Sequence, residues 1–577
     1  MSKITTGDFK ESLKFSPEVR EQNIRTLKTE LFDVLVIGGG ITGAGIVRDA
    51  VLRGFKTALI EKDDFAAGTS TKSSKLVHGG FRYLKQMAFG LVHEALVERK
   101  ILMDIAPHIV HPTKCLLPIY ENSAEPPFLI HMGMWMYDIL AFTKNIGRHR
   151  MVSAKELAIL EPELRQEGLK KGAEYYDCKE DDFRLVMATI QSAAQHGATI
   201  ANYVKAKEVI RENGKIAGIL AENRLTGESV PIKARVIANA TGPWSDEIRS
   251  ALFDEHDPHV RTTKGVHLIV KHSDLPITRA FMQFAIQDKR PIFAVPWKTL
   301  VLLGTTDTDY AGGLDRIYTE RRDVDYLLES FNYYFPKANL NDDKILSAFA
   351  GLRPLLREEG KSASEVTREH AIFEAPENFF SIIGGKLTTH RVMAKDMVHR
   401  LSRRLERSFS VSAKNPHCIT DKVPLYGGDI VNYETFRQEW VGRLVRENHF
   451  DHDIAEHFVE SFGTRIPDVL KAVAATPDGR ERIHPGLPHV WGELTYAVEH
   501  GMTLALDDFL IRRTHIFSLE KHQGLDVYPG IADWLQKRLG WSEDEKQKQI
   551  NRLKQKVHFT QYFREEPSHE NPIHRQS

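Results

Sequence analysis

The sequence predicts an α/β protein: a Rossmann-type first unit, a mixed-sheet second part and a mostly helical C-terminal domain. Three observations predict it. Residues 33–61, DVLVIGGGITGAGIVRDAVLRGFKTALIE, read as strand, glycine turn, helix, strand and acid. Between about 185 and 335, helical spacing alternates with β-rich runs. From about 426 to 560 helical patterning dominates.

The elements follow in order. The polar stretch 1–30 has no apolar h-region, so it reads as a short helical arm and not a secretory signal. The apolar run 34–37 breaks at Gly38, and the helix that follows ends at Gly54. A second apolar run, 57–60, stops at Glu61. Residues 62–90 are rich in Ser, Thr, Gly and Lys and read as loop. LVHEALVERKILMDIA, 91–106, has helical spacing and ends before Pro107. The stretch 113–150, with its MGMWMYDILAF run, is expected to be core or inter-domain packing. LVMATIQSAAQHG reads as helix and TIANYVKAKEVI as strand, followed by a hairpin at Glu212, Asn213 and Gly214 and the strand ARVIANATG. GVHLIV, PIFAVPW and LVLLGTTDT read as strands, and 323–335 as helix. FFSIIGGKLTTHRVMA, 379–394, is a second strand, glycine turn and helix. The irregular polar stretch 402–425 marks a domain boundary. Residues 542–563 start with a capping box, Ser542 with Glu545, and put Ile550, Leu553 and Val557 on one face. That face is expected to pack on the body; a membrane-surface helix is the alternative. The end, 561–577, reads as a disordered tail.

Composition narrows the function. At 577 residues the chain exceeds one core, and 42% hydrophobic with 27% charged residues is ordinary for a globular protein. The 78 basic and 78 acidic residues cancel, so no global field argues for nucleic acid. Cys115, Cys178 and Cys418 form no CxxC pair, so neither a zinc site nor a disulfide framework is suggested, no metal is expected, and a reducing compartment fits. No apolar run is long enough to span a bilayer.

Several segments carry chemistry. Gly38, Gly40, Thr42 and Gly43 open a helix whose N-terminus suits a pyrophosphate, and Glu61 suits a ribose diol. Ala240, Thr241 and Gly242 form a small-residue turn where backbone can lie against a cofactor. Gly384 and Gly385 can aim N–H groups at a ligand, and Lys386 is expected at a helix N-terminus, against the dipole, where an anionic ligand would explain it. SSKLVHGGFRYL, 73–84, brings His78, Gly79, Gly80 and Arg82 together. Arg353, held before Pro354, can fork a phosphate or carboxylate.

These stretches resemble the FAD-dependent glycerol-3-phosphate dehydrogenase family, of the aerobic, respiratory type. The matching segments are DVLVIGGGITGAGIVRDAVLRG, GTSTKSSKLVHGGFRYL, HEALVERKILMDIAPH, ATGPWSDEI, KGVHLIV, GTTDTDY, AGLRPLL, IIGGKLTTHRVMA and LALDDFLIRRT, in family order over about 33–514. Lys72 and Ser74 stand where many members carry arginine and threonine, and Thr389 and His390 stand where a tyrosine before the arginine is more usual. The resemblance implies a D-amino-acid-oxidase-like arrangement. An FAD-dependent oxidoreductase region covers 31–400, in which FAD-binding parts 31–110, 180–260 and 345–400 interleave with substrate-binding parts 111–179 and 261–344. A helical domain at 415–560 follows. It also implies FAD contact from Thr69, Ser70, Ser73, Ser74, Leu76, Leu387 and Thr388, besides the glycine segments, His78 and Lys386.

The implied reaction oxidises sn-glycerol 3-phosphate to dihydroxyacetone phosphate, with a membrane quinone as acceptor. Arg353 and Lys386 are the candidates for the phosphate. His267 is preferred over His78 for the proton, and Arg82 holds substrate or steadies the reduced flavin. A cytoplasmic protein is expected; peripheral attachment to the membrane and a homodimer stay open. The rival readings are a flavin oxidase of an amine or amino acid, oxidation of glycerol 3-phosphate with oxygen as acceptor, a non-catalytic FAD-binding protein and a nicotinamide-dependent dehydrogenase.

Overall fold

The computed structural model describes residues 12–123, 125–358 and 369–565. Its first sheet runs His370–Glu374, Phe379–Gly384, Glu228–Asn239, Leu31–Ile37, Thr57–Ile60, Thr199–Ala201. Along this path every pair is parallel except that of the edge strand His370–Glu374; the strands Lys215–Asn223 and Val204–Glu212 add antiparallel pairs onto Glu228–Asn239. The parallel strands are buried on both faces, which is why 34–37 and 57–60 read as continuous apolar runs. Helices Ile41–Leu52, Asp182–Gln195 and His390–Phe409 pack on one another over this sheet. The hairpin Val204–Glu212 and Lys215–Asn223 turns through Asn213 at φ 52° and Gly214 at φ 79°, as a tight two-residue turn demands.

The second sheet has ten strands. It is antiparallel apart from one parallel contact, between Ala280–Phe284 and Val110–Tyr120. Its long ribbon, Val260–Lys271 with Ile345–Leu356, carries His267 opposite Phe349 and Thr263 opposite Arg353. The short strand Leu76–Val77 at its edge pairs with Lys179 and Cys178, so the 73–84 segment starts fixed to the sheet.

Helices Tyr433–Arg446, His452–Phe462, Ile466–Ala475, Gly492–Gly501, Tyr528–Leu539 and Glu543–Gln561 build the C-terminal domain. Leu494, Phe509 and Leu535 share one apolar core with Leu76, Tyr83 and Met134, so this domain packs against the second sheet without a gap.

Several expectations are corrected. The N-terminal stretch is no free arm where it is described. Helix Pro17–Thr29 buries Arg20, Ile24 and Leu27, while Phe15 exchanges backbone hydrogen bonds with Glu499 and Met502. Residues 1–11 lie outside the described residues. In helix Pro127–Ala141 only Ile130, Met134, Tyr137 and Ala141 are buried; Phe128, Met132, Trp135 and Ile139 face outward, so half of this run is not core. The Ser542 hydroxyl accepts the Glu545 N–H at 3.1 Å, and Ile550, Leu553 and Val557 pack on the body as expected, so the alternative of a membrane-surface face is the one that falls. Of the expected tail, Phe563 is buried, whereas 566–577 lie outside the described residues.

Candidate active site

The ends of the parallel strands and the glycine turns make a cradle. Gly38 has φ +110°, and a Cβ there would lie 2.7 Å from the Ala240 carbonyl oxygen. A Cβ at Gly43 would lie 1.9 Å from the Gly38 oxygen, so helix Ile41–Leu52 sits directly on its own entry turn. The helix has no side-chain cap at Gly40, although the Ser70 hydroxyl takes the Ile41 N–H at 2.9 Å. Thr42 and Gly43 lie in the uncapped first turn, where backbone N–H groups and the dipole favour a phosphate. Glu61 accepts from the Gly39 N–H at 2.7 Å and the Asp63 N–H at 2.9 Å. Burial, then Asp63, pushes this carboxyl up to about 7. Thr241 is held by Asn239 at 2.6 Å, and Gly242 follows at φ +55°. Gly384 and Gly385, at φ +85° and +84°, turn the chain at the end of strand Phe379–Gly384; the Gly385 N–H donates to the Glu369 carbonyl at 3.2 Å and is not aimed at a ligand as expected. These residues fit a dinucleotide: glycines without side chains at the strand ends, a helix N-terminus with no cap at Gly40, and one acid at the ribose position.

The loop after Glu61 is anchored residue by residue. Thr69 Oγ1 donates to the Leu352 carbonyl at 2.6 Å, joining this loop to the second sheet. Ser73 donates to Asp182 at 2.7 Å, and Lys75 pairs with the same carboxylate at 2.5 Å. Lys72 lies 5.9 Å from the Phe349 ring, and burial, then Lys556, brings its amine down to about 7. An arginine at this position would stay charged.

Two groups of candidate residues emerge. In the first, His78 lines a cavity with Leu76, Gly80, Arg82, Tyr175 and Phe293. The Thr388 hydroxyl accepts the His78 N–H at 3.3 Å, so the two glycine segments touch. Lys386 Nζ lies 3.9 Å from the Tyr83 ring, and the Arg82 guanidinium lies 4.7 Å from it while donating to the Tyr83 hydroxyl at 2.7 Å. Helix His390–Phe409 begins four residues past Lys386. The lysine therefore sits in the turn and escapes most of the expected conflict with the dipole, which fades within one turn. Leu387 lies in the same turn and packs against the first core.

In the second group His267 is buried. Its Nε2 lies 2.8 Å from Ser74 Oγ, and its ring stacks on Phe349 at 4.9 Å. Arg353 donates to Asp307 at 3.0 Å and to Thr305 Oγ1 at 2.9 Å. Burial, then Arg353 and Lys75, lowers His267 to about 3; burial, then Lys386 and Arg82, lowers His78 to about 3. Both rings are therefore neutral near pH 7, the state of a base. His267 and Phe293 lie on either side of Gly304, paired with it from two strands, and Phe293 meets His78 at 6.3 Å. The two groups thus border one stretch of sheet, but no direct contact joins the histidines.

Some supporting residues escaped the sequence reading. Asp177 accepts from Gly79 N–H at 3.1 Å, Tyr137 hydroxyl at 2.8 Å and Arg99 at 2.8 Å, fixing the glycine pair beside His78. Tyr83 and Asp307 were also missed. An acid on a strand in register with the histidine loop was the one signal for Asp177; nothing local marked the other two.

Known proteins match along the whole of this architecture. A model of the FAD dependent oxidoreductase family matches residues 33–400, and one described as the C-terminal domain of alpha-glycerophosphate oxidase matches 418–546. An aerobic glycerol-3-phosphate dehydrogenase of Staphylococcus saprophyticus is 37% identical over 554 residues, covering 95% of this chain and 98% of that one. One of Staphylococcus aureus is 36% identical over 553 residues, with the same coverage. The structure of the glycerol-3-phosphate dehydrogenase from Bacillus halodurans complexed with FAD superposes with a TM-score of 0.79 at 32% identity, covering 95% of this chain and 98% of that one. The cradle geometry and these likenesses agree: the chain belongs to the FAD-dependent oxidoreductases, among the aerobic glycerol-3-phosphate dehydrogenases.

Proposed function

We propose that this protein oxidises sn-glycerol 3-phosphate to dihydroxyacetone phosphate and passes the electrons to a membrane quinone. The observation that supports the substrate is the pair of cations, Arg82 and Lys386, both packed on the Tyr83 ring, with Arg82 lining the cavity that holds His78. A phosphate dianion is the natural partner of two such cations, and the relatives are named for this substrate. When bound, FAD supplies the two-electron acceptor for the substrate C–H bond. The secondary alcohol loses a hydride from carbon and a proton from oxygen, leaving the ketone. His267 is assigned the proton: it is neutral, buried and hydrogen-bonded to Ser74, and Arg353 beside it, although it disfavours the imidazolium, stabilises the alkoxide formed as the proton leaves. Arg353 also steadies the substrate oxygens, while Arg82 and Lys386 hold the phosphate.

The acceptor is read from helix Pro127–Ala141. Phe128, Met132, Trp135, Ile139 and Phe142 recur every three or four residues and stand open to solvent, Phe142 at 78% and Ile139 at 63% of full exposure. A continuous apolar stripe of this kind suits the surface of a bilayer, where quinones reside. The same helix turns Tyr137 inward to Gly79 and Asp177, so the stripe lies one helix thickness from the His78 loop. No helix among the described residues is long and apolar enough to cross a membrane.

The test is an anaerobic titration of the purified yellow protein. Glycerol 3-phosphate is expected to bleach the flavin band where glycerol and amino acids do not; no bleaching removes the substrate assignment. Reoxidation by a soluble quinone faster than by dissolved oxygen supports the acceptor; the reverse order makes it an oxidase. Flotation with anionic lipid vesicles is expected for the wild type and lost in Trp135→Ser/Ile139→Ser, and equal flotation would sink the membrane reading.

A further inference from the structure

Far from the cradle, in the C-terminal domain, three side chains bring their lone pairs to one point. His457 lies on helix His452–Phe462, Glu493 begins helix Gly492–Gly501, and His489 lies in the connection before it. All three are buried. His457 Nε2 is 2.8 Å from Glu493 Oε2 and 3.1 Å from His489 Nδ1, and His489 Nδ1 is 3.7 Å from Glu493 Oε1.

Hydrogen bonds alone serve this group badly. A single proton on His457 Nε2 must face both the carboxylate and His489 Nδ1. If Nδ1 carries a second proton, it points at the first, and its own distance of 3.7 Å to the carboxylate is too long for a bond. If Nδ1 is bare, its lone pair looks at an anion. A divalent cation at the common focus uses all three lone pairs at once. At metal–ligand distances of about 2.0–2.2 Å, a tetrahedron has edges of about 3.3–3.6 Å; the two ring nitrogens stand 3.1 Å apart, and the carboxylate reaches one through Oε2 at 2.8 Å and the other through Oε1 at 3.7 Å.

The outer contacts are those a metal site needs. Ser461 Oγ lies 3.1 Å from His457 Nδ1 and can accept its proton, the tautomer that leaves Nε2 bare for a metal. The Val490 N–H donates to Glu493 Oε1 at 3.0 Å and sets the carboxylate plane. Glu493 and Ser461 also line a cavity between this domain and helix Asp182–Gln195, which leaves room for water at a fourth position. Of the neighbouring cations, Lys298 is 4.0 Å from the Asp181 carboxylate, and Arg184 donates to the Arg513 carbonyl.

We propose that His457, His489 and Glu493 form a binding site for a divalent transition-metal ion, zinc by its ligand set, with an open fourth position. Two imidazoles and one carboxylate in a tetrahedral arrangement select zinc over magnesium or calcium, which prefer oxygen. The ion fastens helix His452–Phe462 to helix Gly492–Gly501 and is distinct from the redox chemistry.

Metal content of the FAD-loaded protein, after dialysis against a weak chelator and titration with zinc, is the direct test. One equivalent per chain is expected, with a thermal midpoint that rises as zinc is added. His489→Phe and Glu493→Gln are expected to abolish both the binding and the rise. Should a variant fail to fold, cobalt added to the wild type decides instead: a tetrahedral histidine–carboxylate site gives bands to the red of the flavin absorption. Less than a tenth of an equivalent of zinc bound, no cobalt bands, or variants that bind zinc as the wild type does would overturn the site.

Discussion

Arg513 holds Asp64 with two parallel hydrogen bonds, at 2.6 and 3.0 Å, across 449 positions of chain. Arg512 adds a third contact to the same carboxylate and reaches back to Asp508 at 2.6 Å. The two arginines hold the Asp64 carboxyl well below the usual range despite complete burial. Asp64 sits three residues past Glu61, in the loop that begins at the ribose acid. The C-terminal domain therefore grips the cofactor loop through a buried ion cluster. Removing one member leaves two buried guanidinium groups short of charge, a change that costs about 3–5 kcal/mol. Asp64→Asn is expected to lower stability to denaturant by that amount and to release FAD during gel filtration. A variant with wild-type stability and full flavin content would show that the domains dock without it.

The cradle is tested at Gly43. A Cβ there would overlap the Gly38 carbonyl oxygen at 1.9 Å, a backbone atom that cannot step aside without opening the turn. Gly43→Ala is expected to give folded protein, judged by far-ultraviolet circular dichroism, with at least tenfold weaker FAD binding. Yellow protein with unchanged affinity would mean that the turn is looser than its geometry.

Much of this was legible in the residues. The strand ends, the hairpin at Asn213 and Gly214 and the helix start at Ser542 all rest on local rules, and each is found where the sequence puts it, although at Ser542 the N-cap forms without the reciprocal bond from Glu545. What the sequence hid depends on partners distant in the chain. The outward stripe of helix Pro127–Ala141 looks like core because periodicity gives two faces without saying which is covered. Lys386 looked like a helix N-terminus because the glycine turn runs on for four residues before the helix begins. Asp177 and Tyr83 earn their positions through pairings between strands and rings that no spacing predicts. The grouping of His78 with Lys386, and of His267 with Arg353, appears only once the two sheets are folded.

The division of labour between the two groups makes a kinetic prediction. His267→Gln removes the assigned base and leaves both cations at Tyr83 intact. Flavin reduction under anaerobic stopped flow is expected to slow by about 10²–10⁴-fold, with little change in the substrate concentration at half-saturation. Lys386→Met is expected to do the opposite, raising that concentration about tenfold or more while FAD stays bound. If His78→Gln slows reduction and His267→Gln does not, the base belongs to the first group instead.

Buried neutral histidines also set the response to acid, and His108 isolates the effect because it lies outside both groups. Burial, then His111 and Arg184, lowers it to about 3 from an ordinary value of 6.5. The sign follows from proton counting. Between those two values the unfolded chain binds a proton at this site and the folded chain does not, so falling pH favours unfolding. The contribution is fully present above about pH 6.5 and declines by about 1.4 kcal/mol for each unit below it, until the folded ring itself protonates. His108→Gln cannot titrate. Urea unfolding at pH 6.5 and pH 5.5 is therefore expected to show the wild type losing about 1 kcal/mol more than the variant. Equal losses would mean that His108 is charged or open to water in the folded protein, and that its closed setting between helix Asp182–Gln195 and the C-terminal domain is not kept in solution.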